Sequence, residues 1–183
     1  MNSQMDSILP DPERQVTATC LHEAAHAKAC LLLEVPFTRL GVTDGGLAGY
    51  TDVESVACDP VALRQCTDEC RMEAEAIALA VGVIASALPG PTLFVPLANS
   101  RDDLEKVFAL SDRLIELGAS PDPLVKISQR ANGLVQKHKG DICRIAAAVR
   151  ELTDVSRKQV IELLDTGRIC LPGGGAWECG TPA

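Results

Sequence analysis

Two histidines four residues apart are the first feature of the sequence that could do chemistry. The segment LHEAAHAKAC places His22 and His26 at i and i+4, so both imidazoles leave one helix face a turn apart. Two such nitrogens can bind one Zn²⁺ at about 2.0 to 2.1 Å. Glu23 could accept a proton from a water that the metal activates for attack on a carbonyl. The spacing predicts a zinc hydrolase site, although a half-buried helix with two histidines would show the same pattern.

A catalytic zinc site generally has a third protein ligand, which spacing alone does not identify. His138 lies between lysines, which is typical of a solvated helix end. The remaining candidates are carboxylates on two later helices and one thiol that continues the i+4 series, namely Glu69, Glu73, Glu75, Asp102, Asp103 and Cys30.

The elements that must position these residues are mainly helices. Asp11-Pro12-Glu13 is typical of a helix start, and Val35-Pro36 should end that first helix. Start and stop signals predict further helices at about 60–88, 100–118, 121–140, 141–152 and 156–164, the last opened by a capping box of Ser156 and Gln159. FTRLGVT and LAGYTDV flank Asp44-Gly45-Gly46, which predicts one β-hairpin beside the zinc helix.

Composition and charge exclude several classes of protein. The 183 residues are 46% hydrophobic and 3% aromatic with a net charge of -8, which favours packed helices and disfavours nucleic acid or an anionic membrane as a partner. Prolines interrupt the uncharged stretch 76–98, so we expect no membrane span. The N-terminus does not resemble a secretory signal, and no Cys-x-x-Cys pair occurs among the eight cysteines. We therefore expect a cytoplasmic protein with free thiols.

The chain length favours one domain. We expect a flexible N-terminus over residues 1–10, a metallopeptidase-like domain over 11–168, and a flexible Gly-rich tail over 169–183.

From about Thr17 to Asp165 the sequence resembles the peptidase domain of the FtsH-type ATP-dependent zinc metalloproteases. LHEAAHAKAC is similar to the zinc helix of that family, and TRLGVTDGGLAGYTDV to the edge hairpin that follows it. NSRDDLEKVFAL is similar to the segment that carries the third ligand, and ANGLVQKHKGDICRIAAAVRELTDVSRKQVIELL to the terminal helices. The four segments occur in the family's order.

The resemblance implies a helical zinc-peptidase fold in which Asp103 is the third ligand and Asp102 replaces a usual asparagine. It also implies that the hairpin residues Gly49, Tyr50 and Thr51 bind an extended peptide substrate through the strand edge. The chain departs from the family at Ala25, where glycine is usual, and in the uncharged segment GVIASAL, which replaces residues of the usual subunit contacts. We also expect neither the ATPase module nor the membrane anchor.

These observations predict a Zn²⁺-dependent endopeptidase that cuts unfolded or extended polypeptides. The 183 residues contain no Gly-x-x-x-x-Gly-Lys-Ser/Thr phosphate loop, so an ATPase would have to be a separate partner. Two alternatives stay open: a peptidase that cuts one partner protein, and a non-enzymatic oligomerisation or adaptor domain that keeps the fold. A homo-oligomer is compatible with each of these.

Overall fold

The computed structural model describes residues 12–88, 98–171, 173 and 175–178. This part of the chain is mainly helical, as predicted, with two small antiparallel sheets. The helices are α1 (Pro12–Leu32), α2 (Pro60–Gln65), α3 (Glu69–Ala85), α4 (Ala98–Glu116), α5 (Pro123–Leu152) and α6 (Arg157–Thr166). The strands are β1 (Phe37–Thr43), β2 (Ala48–Val53), β3 (Asp154–Ser156), β4 (Arg168–Cys170) and β5 (Ala176–Glu178).

Helix α1 is the centre of the core. It packs against α3, α5 and the first two strands, and residues 18–27 are all buried. Its small side chains Ala24, Ala25, Ala27 and Ala29 are at most 1% exposed, which lets neighbouring backbones approach closely. The helix ends at Leu32, before Val35-Pro36 as predicted. A helix buried on almost every side is a rigid support for the two histidines.

The predicted hairpin is present as β1 and β2. The strands pair antiparallel with Leu40 opposite Thr51 and Val42 opposite Gly49, and the connection carries Gly45 and Gly46 at φ +69° and +89°. Strand β3, which we did not predict, pairs with the other side of β1, giving the order β2-β1-β3. Strand β2 is therefore an edge strand of this sheet, and it packs on α1.

The structure divides the helix expected over 60–88 into two. Asp59 caps α2, and Asp68 caps α3 by accepting a hydrogen bond from the backbone N–H of Arg71. Between them Cys66 has an extended backbone at φ -69°, ψ 128°. The apolar spacing continues across the break, so periodicity alone did not reveal it.

The helices expected over 121–140 and 141–152 are one continuous helix, α5. It begins after Asp122, whose side chain caps it, and continues through Gly140 with a local distortion at His138 (φ -112°, ψ 18°). Buried Ala131, Val135, Ile142 and Ile145 keep one apolar face on both sides of that distortion. Helix α4 also begins earlier than the expected cap at Ser100, whereas α6 has the predicted capping box of Ser156 and Gln159.

Part of the expected tail has regular structure. Strand β4 pairs antiparallel with β5, with Ile169 opposite Trp177, and Ile169 is fully buried. The expected flexible segments 1–10 and 179–183 lie outside the described residues.

No helix in the described ranges combines the length and the apolar character that crossing a bilayer requires. The seven cysteines that the structure describes are free thiols.

Candidate metal centre and adjoining cleft

His22 and His26 lie on α1 with their rings in contact. The ring centroids are 4.5 Å apart at an interplanar angle of 88°, and the two Nε2 atoms are 2.9 Å apart. Both side chains are buried, at 1% and 5% exposure. The i,i+4 spacing thus brings two ring nitrogens to one point, as the sequence predicted.

Asp103 of α4 completes this group. Its Oδ2 atom lies 2.8 Å from His22 Nε2 and 3.0 Å from His26 Nε2, and the residue is 8% exposed. The three side chains could hold a metal ion. The structure therefore brings together the two histidines and the one acid that the resemblance implied.

The geometry of the three atoms favours a cation at their centre. Each Nε2 carries at most one proton and the ionised Oδ2 carries none. Hydrogen bonds can therefore account for at most two of the three short contacts between these atoms. One cation would satisfy all three at once. A tetrahedral Zn²⁺ with bonds of about 2.0 to 2.1 Å needs ligand atoms about 3.3 Å apart. The three atoms would therefore have to move apart by only a few tenths of an ångström to bind it.

Helix α3 orients the second histidine. His26 Nδ1 donates a hydrogen bond of 2.8 Å to the backbone carbonyl of Ala78, and a carbonyl can only accept, so this bond places a proton on Nδ1 and turns Nε2 towards Asp103. Gly82, one turn further on α3, leaves room for the ring: a Cβ there would lie 2.4 Å from His26 Cε1 and Nε2. His22 Nδ1, by contrast, is buried without a hydrogen-bond partner among the described residues.

The group is electrostatically coupled. Burial would lower the pKa of His26, but the hydrogen bond and charge of Asp103 outweigh it and raise that pKa to about 9. Burial would likewise raise the pKa of Asp103, but hydrogen bonds from His22 and His26 outweigh it and lower that pKa well below its usual range. The carboxylate is therefore ionised, and a metal ion must compete with a proton on His26 near neutral pH.

Glu23 lies beside this group and is fixed by β2. The Thr51 hydroxyl lies 2.8 Å from Glu23 Oε2 and 3.3 Å from the Glu23 backbone carbonyl. A Cβ at Gly49 would lie 2.5 Å from Glu23 Oε1, so only glycine leaves the carboxylate its present position. Glu23 is 2% exposed and still contributes to the wall of the adjoining cleft.

Tyr50, the third predicted hairpin residue, differs from Gly49 and Thr51 in its contacts. It also lines the cleft, but its hydroxyl donates to Asp154 Oδ1 at 2.9 Å, and the Arg39 guanidinium lies 5.4 Å from its ring centroid. Burial raises the pKa of Tyr50, and the hydrogen bond to Asp154 adds to this effect. Its hydroxyl therefore joins β2 to β3.

A cleft of about 180 Å³ opens onto these residues. Its walls include the three candidate ligands and Glu23, residues 49–51 of β2, Ser55 and Cys58 after that strand, and Asp102 and Lys106 of α4. The cleft is large enough for part of an extended peptide, and it joins the candidate ligands to the strand edge.

The other candidates for the third ligand lie outside the group. The Glu73 carboxylate bonds Lys126 and Arg130, while the buried Glu75 accepts hydrogen bonds from Ser55, Val56 and Arg71. Burial raises the pKa of the Cys30 thiol to about 12, which disfavours the thiolate that a metal needs. Asp102 is exposed on the cleft wall, and Glu69 is exposed at the start of α3.

Ala78, Gly82 and Lys106 are site residues that we did not predict. The first two belong to the apolar stretch of α3, where the only available signal was a glycine inside a helical pattern. Lys106 belongs to the amphipathic helix α4, where lysines are common on the solvent side, so its position in the sequence gives no signal of a site.

Comparison with known proteins adds no identification. No model of a known protein family matches the sequence, and no curated protein matches it. The function must therefore be inferred from the geometry of the site.

Proposed function

We propose that this protein is a zinc-dependent endopeptidase that cuts extended polypeptide segments. The observation that supports this proposal most directly is the convergence of His22, His26 and Asp103 next to the carboxylate of Glu23. The resemblance to the FtsH-type peptidase domain adds support, because the third ligand that it implies, Asp103, is the acid that lies against both histidines.

The donor set is suited to zinc. Two imidazoles and one carboxylate form one of the common three-ligand sets of catalytic zinc, which leaves a further coordination position open. Mg²⁺ and Ca²⁺ prefer sites made of oxygen ligands alone. A bound zinc ion would polarise a peptide carbonyl and lower the pKa of water towards about 7.

In this proposal the chain's own residues bind the substrate and move the proton. Glu23 accepts the proton of the attacking water and delivers it to the leaving amine. Thr51 keeps Glu23 in position through its hydroxyl. Strand β2, at the end of the sheet, pairs with an extended peptide through backbone hydrogen bonds, which are indifferent to side chains.

Edge pairing also restricts the state of the substrate. The backbone groups of a folded protein are already paired, so only a segment free to become extended can bind along β2. We therefore propose unfolded or flexible polypeptides as substrates. Folded substrates would need a separate unfolding partner, such as an ATPase.

The experiment compares wild type with Glu23→Gln, after zinc has been measured in both. We expect about one zinc per chain in each protein, and at least about a hundredfold slower cleavage of a casein-like substrate by Glu23→Gln, because the amide cannot accept a proton. Glu34→Gln, which changes an exposed glutamate just after the end of α1, is the matched control and should keep wild-type turnover.

Two results would contradict the proposal. Wild-type turnover by zinc-loaded Glu23→Gln would show that another group accepts the proton. Zinc-loaded wild-type protein that cleaves no unstructured polypeptide would remove the peptidase assignment and favour a non-enzymatic role for the domain.

A further inference from the structure

We propose that Lys106 makes the cleft selective for substrates that carry a carboxylate close to the scissile bond. This inference rests on the proposed peptidase function and names the class of substrate that the site prefers. It starts from the one positively charged lysine or arginine among the described residues of the cleft, which the proposed chemistry leaves unused.

Lys106 is the only lysine or arginine among the described residues that line the cleft. It is half-buried, and no acidic side chain of the described residues pairs with it. Its neighbours on α4 have other partners, since Arg101 pairs with Glu105 and Asp103 joins the two histidines. Asp102 lies one turn before Lys106 and is exposed, and the two side chains form no ion pair in the structure.

A half-buried ammonium group gains more from a carboxylate than one in open water, because the surroundings screen the attraction less. The two buried acidic residues of the cleft are committed, and the exposed Asp102 forms no ion pair with Lys106. Asp103 Oδ2 belongs to the candidate metal group, and Glu23 is held by Thr51 as the proton acceptor. A carboxylate from the substrate can therefore pair with Lys106 without displacing an ion pair between described residues.

The position of Lys106 limits where that carboxylate can be. Lys106 follows the candidate ligand Asp103 by three residues on one helix, which corresponds to a rise of about 4.5 Å. An extended peptide advances about 3.3 Å per residue. The carboxylate should therefore belong to a residue within one or two positions of the scissile bond.

The cleft has a fixed wall, which selectivity requires. Glu75 of α3 is 1% exposed and accepts hydrogen bonds of 2.9 Å from Ser55 Oγ, the Val56 backbone N–H and Arg71 Nε. These bonds attach the segment after β2, which lines the cleft through Ser55 and Cys58, to the helix core. A peptide carboxylate thus meets a preformed site.

The test uses one flexible peptide with a single scissile bond, in which Glu or Gln is placed in turn at each of the three positions on either side. For zinc-loaded wild type we expect Glu to raise kcat/KM about three- to tenfold over Gln at one or two adjacent positions. Lys106→Met should abolish this preference, Lys106→Arg should keep it, and Lys106→Glu should favour a Lys-bearing peptide. The control Lys158→Met, at an exposed lysine of α6, should leave it unchanged.

Two further experiments distinguish a side-chain carboxylate from a terminal one, and a failure of the Lys106 inference from a failure of the proposed peptidase function. Peptides with a free or amidated C-terminus show whether a terminal carboxylate substitutes for a side chain. Equilibrium binding of the Glu and Gln peptides to zinc-loaded Glu23→Gln protein measures the preference without cleavage. A binding preference without wild-type cleavage would remove the proposed function and keep the role of Lys106. Equal binding and equal cleavage of Glu and Gln peptides at every position, or a preference that survives Lys106→Met, would overturn the inference.

Discussion

Replacing Gly82 by alanine should damage the metal site without touching a ligand. The added Cβ would lie 2.4 Å from Cε1 and Nε2 of His26 and 2.9 Å from its Cδ2, whereas carbon atoms in van der Waals contact lie about 3.5 to 4.0 Å apart. The ring would have to move by about 1 Å, away from the Ala78 carbonyl that holds it. Metal-ligand distances tolerate only about 0.2 Å. We expect zinc affinity to fall at least about a hundredfold, the upper end of what the loss of an orienting partner costs.

Gly82→Ala should lose much zinc affinity but little folding stability. Alanine gains about 1 kcal/mol over glycine in a helix, while overpacking costs about 1 to 3 kcal/mol, so the metal-free variant should lose no more than about 2 kcal/mol and remain folded. The control is Gly133→Ala on α5, where a Cβ meets nothing within 4 Å. That variant should be slightly more stable with unchanged zinc affinity. Chelator competition and thermal melts measure the two quantities, and wild-type zinc affinity in Gly82→Ala would refute the reasoning.

Four further predictions concern the ligands, the proton acceptor and the effects of pH on zinc affinity and on stability. Asp103→Ala should weaken zinc binding in chelator competition far more than Asp102→Ala, and equal effects would move the third ligand elsewhere. Gly49→Ala should keep zinc but slow peptide cleavage at least about tenfold, because its Cβ displaces Glu23; unchanged cleavage would contradict that contact. Apparent zinc affinity should rise with pH, by up to about tenfold per unit between pH 7 and 9, because His26 with its pKa of about 9 must release a proton. An affinity that is flat over that range would be incompatible with a protonated His26. In the metal-free protein the same raised pKa stabilises the fold below about pH 6.5, so its melting temperature should fall as pH rises towards about 9.

Local sequence rules were sufficient for several features whose partners are near in the chain. The i,i+4 spacing of His22 and His26 sets their common helix face, and the capping box at Ser156 starts α6 where it was expected. The turn at Gly45 and Gly46 requires positive φ angles that glycine adopts readily. Each of these features depends on residues within about one turn of helix or one tight turn.

Features set by distant packing could not be obtained in the same way. The segment Asp154–Ser156 is only three residues long, which is too short for a period-two pattern to be distinctive, and its pairing with β1 makes it a strand. Gly140 looked like a helix end, yet α5 continues because Ile142 and Ile145 extend the buried face of Val135. An exposed glycine costs about 1 kcal/mol in a helix, which burial of a single large apolar side chain exceeds.

The third candidate ligand shows the same limit most clearly. Asp103 lies 77 residues beyond His26, and no spacing rule connects two helices across that distance. Glu75 had an equal claim from its position on an amphipathic helix, but its carboxylate is turned to the segment after β2. Only the packing of α4 beside α3 decides between them.

The same physical arrangement holds both chemically active side chains in place. The carbonyl of Ala78 accepts a hydrogen bond from His26, and Gly82, which has no side chain, leaves space for the His26 ring. The hydroxyl of Thr51 donates a hydrogen bond to Glu23, and Gly49, which has no side chain, leaves space for the Glu23 carboxylate. In each case a hydrogen bond orients the group, and a glycine on the same element lets that backbone approach closely. Because one support comes from α3 and the other from β2, a shift of either element against α1 should disturb the group that it supports.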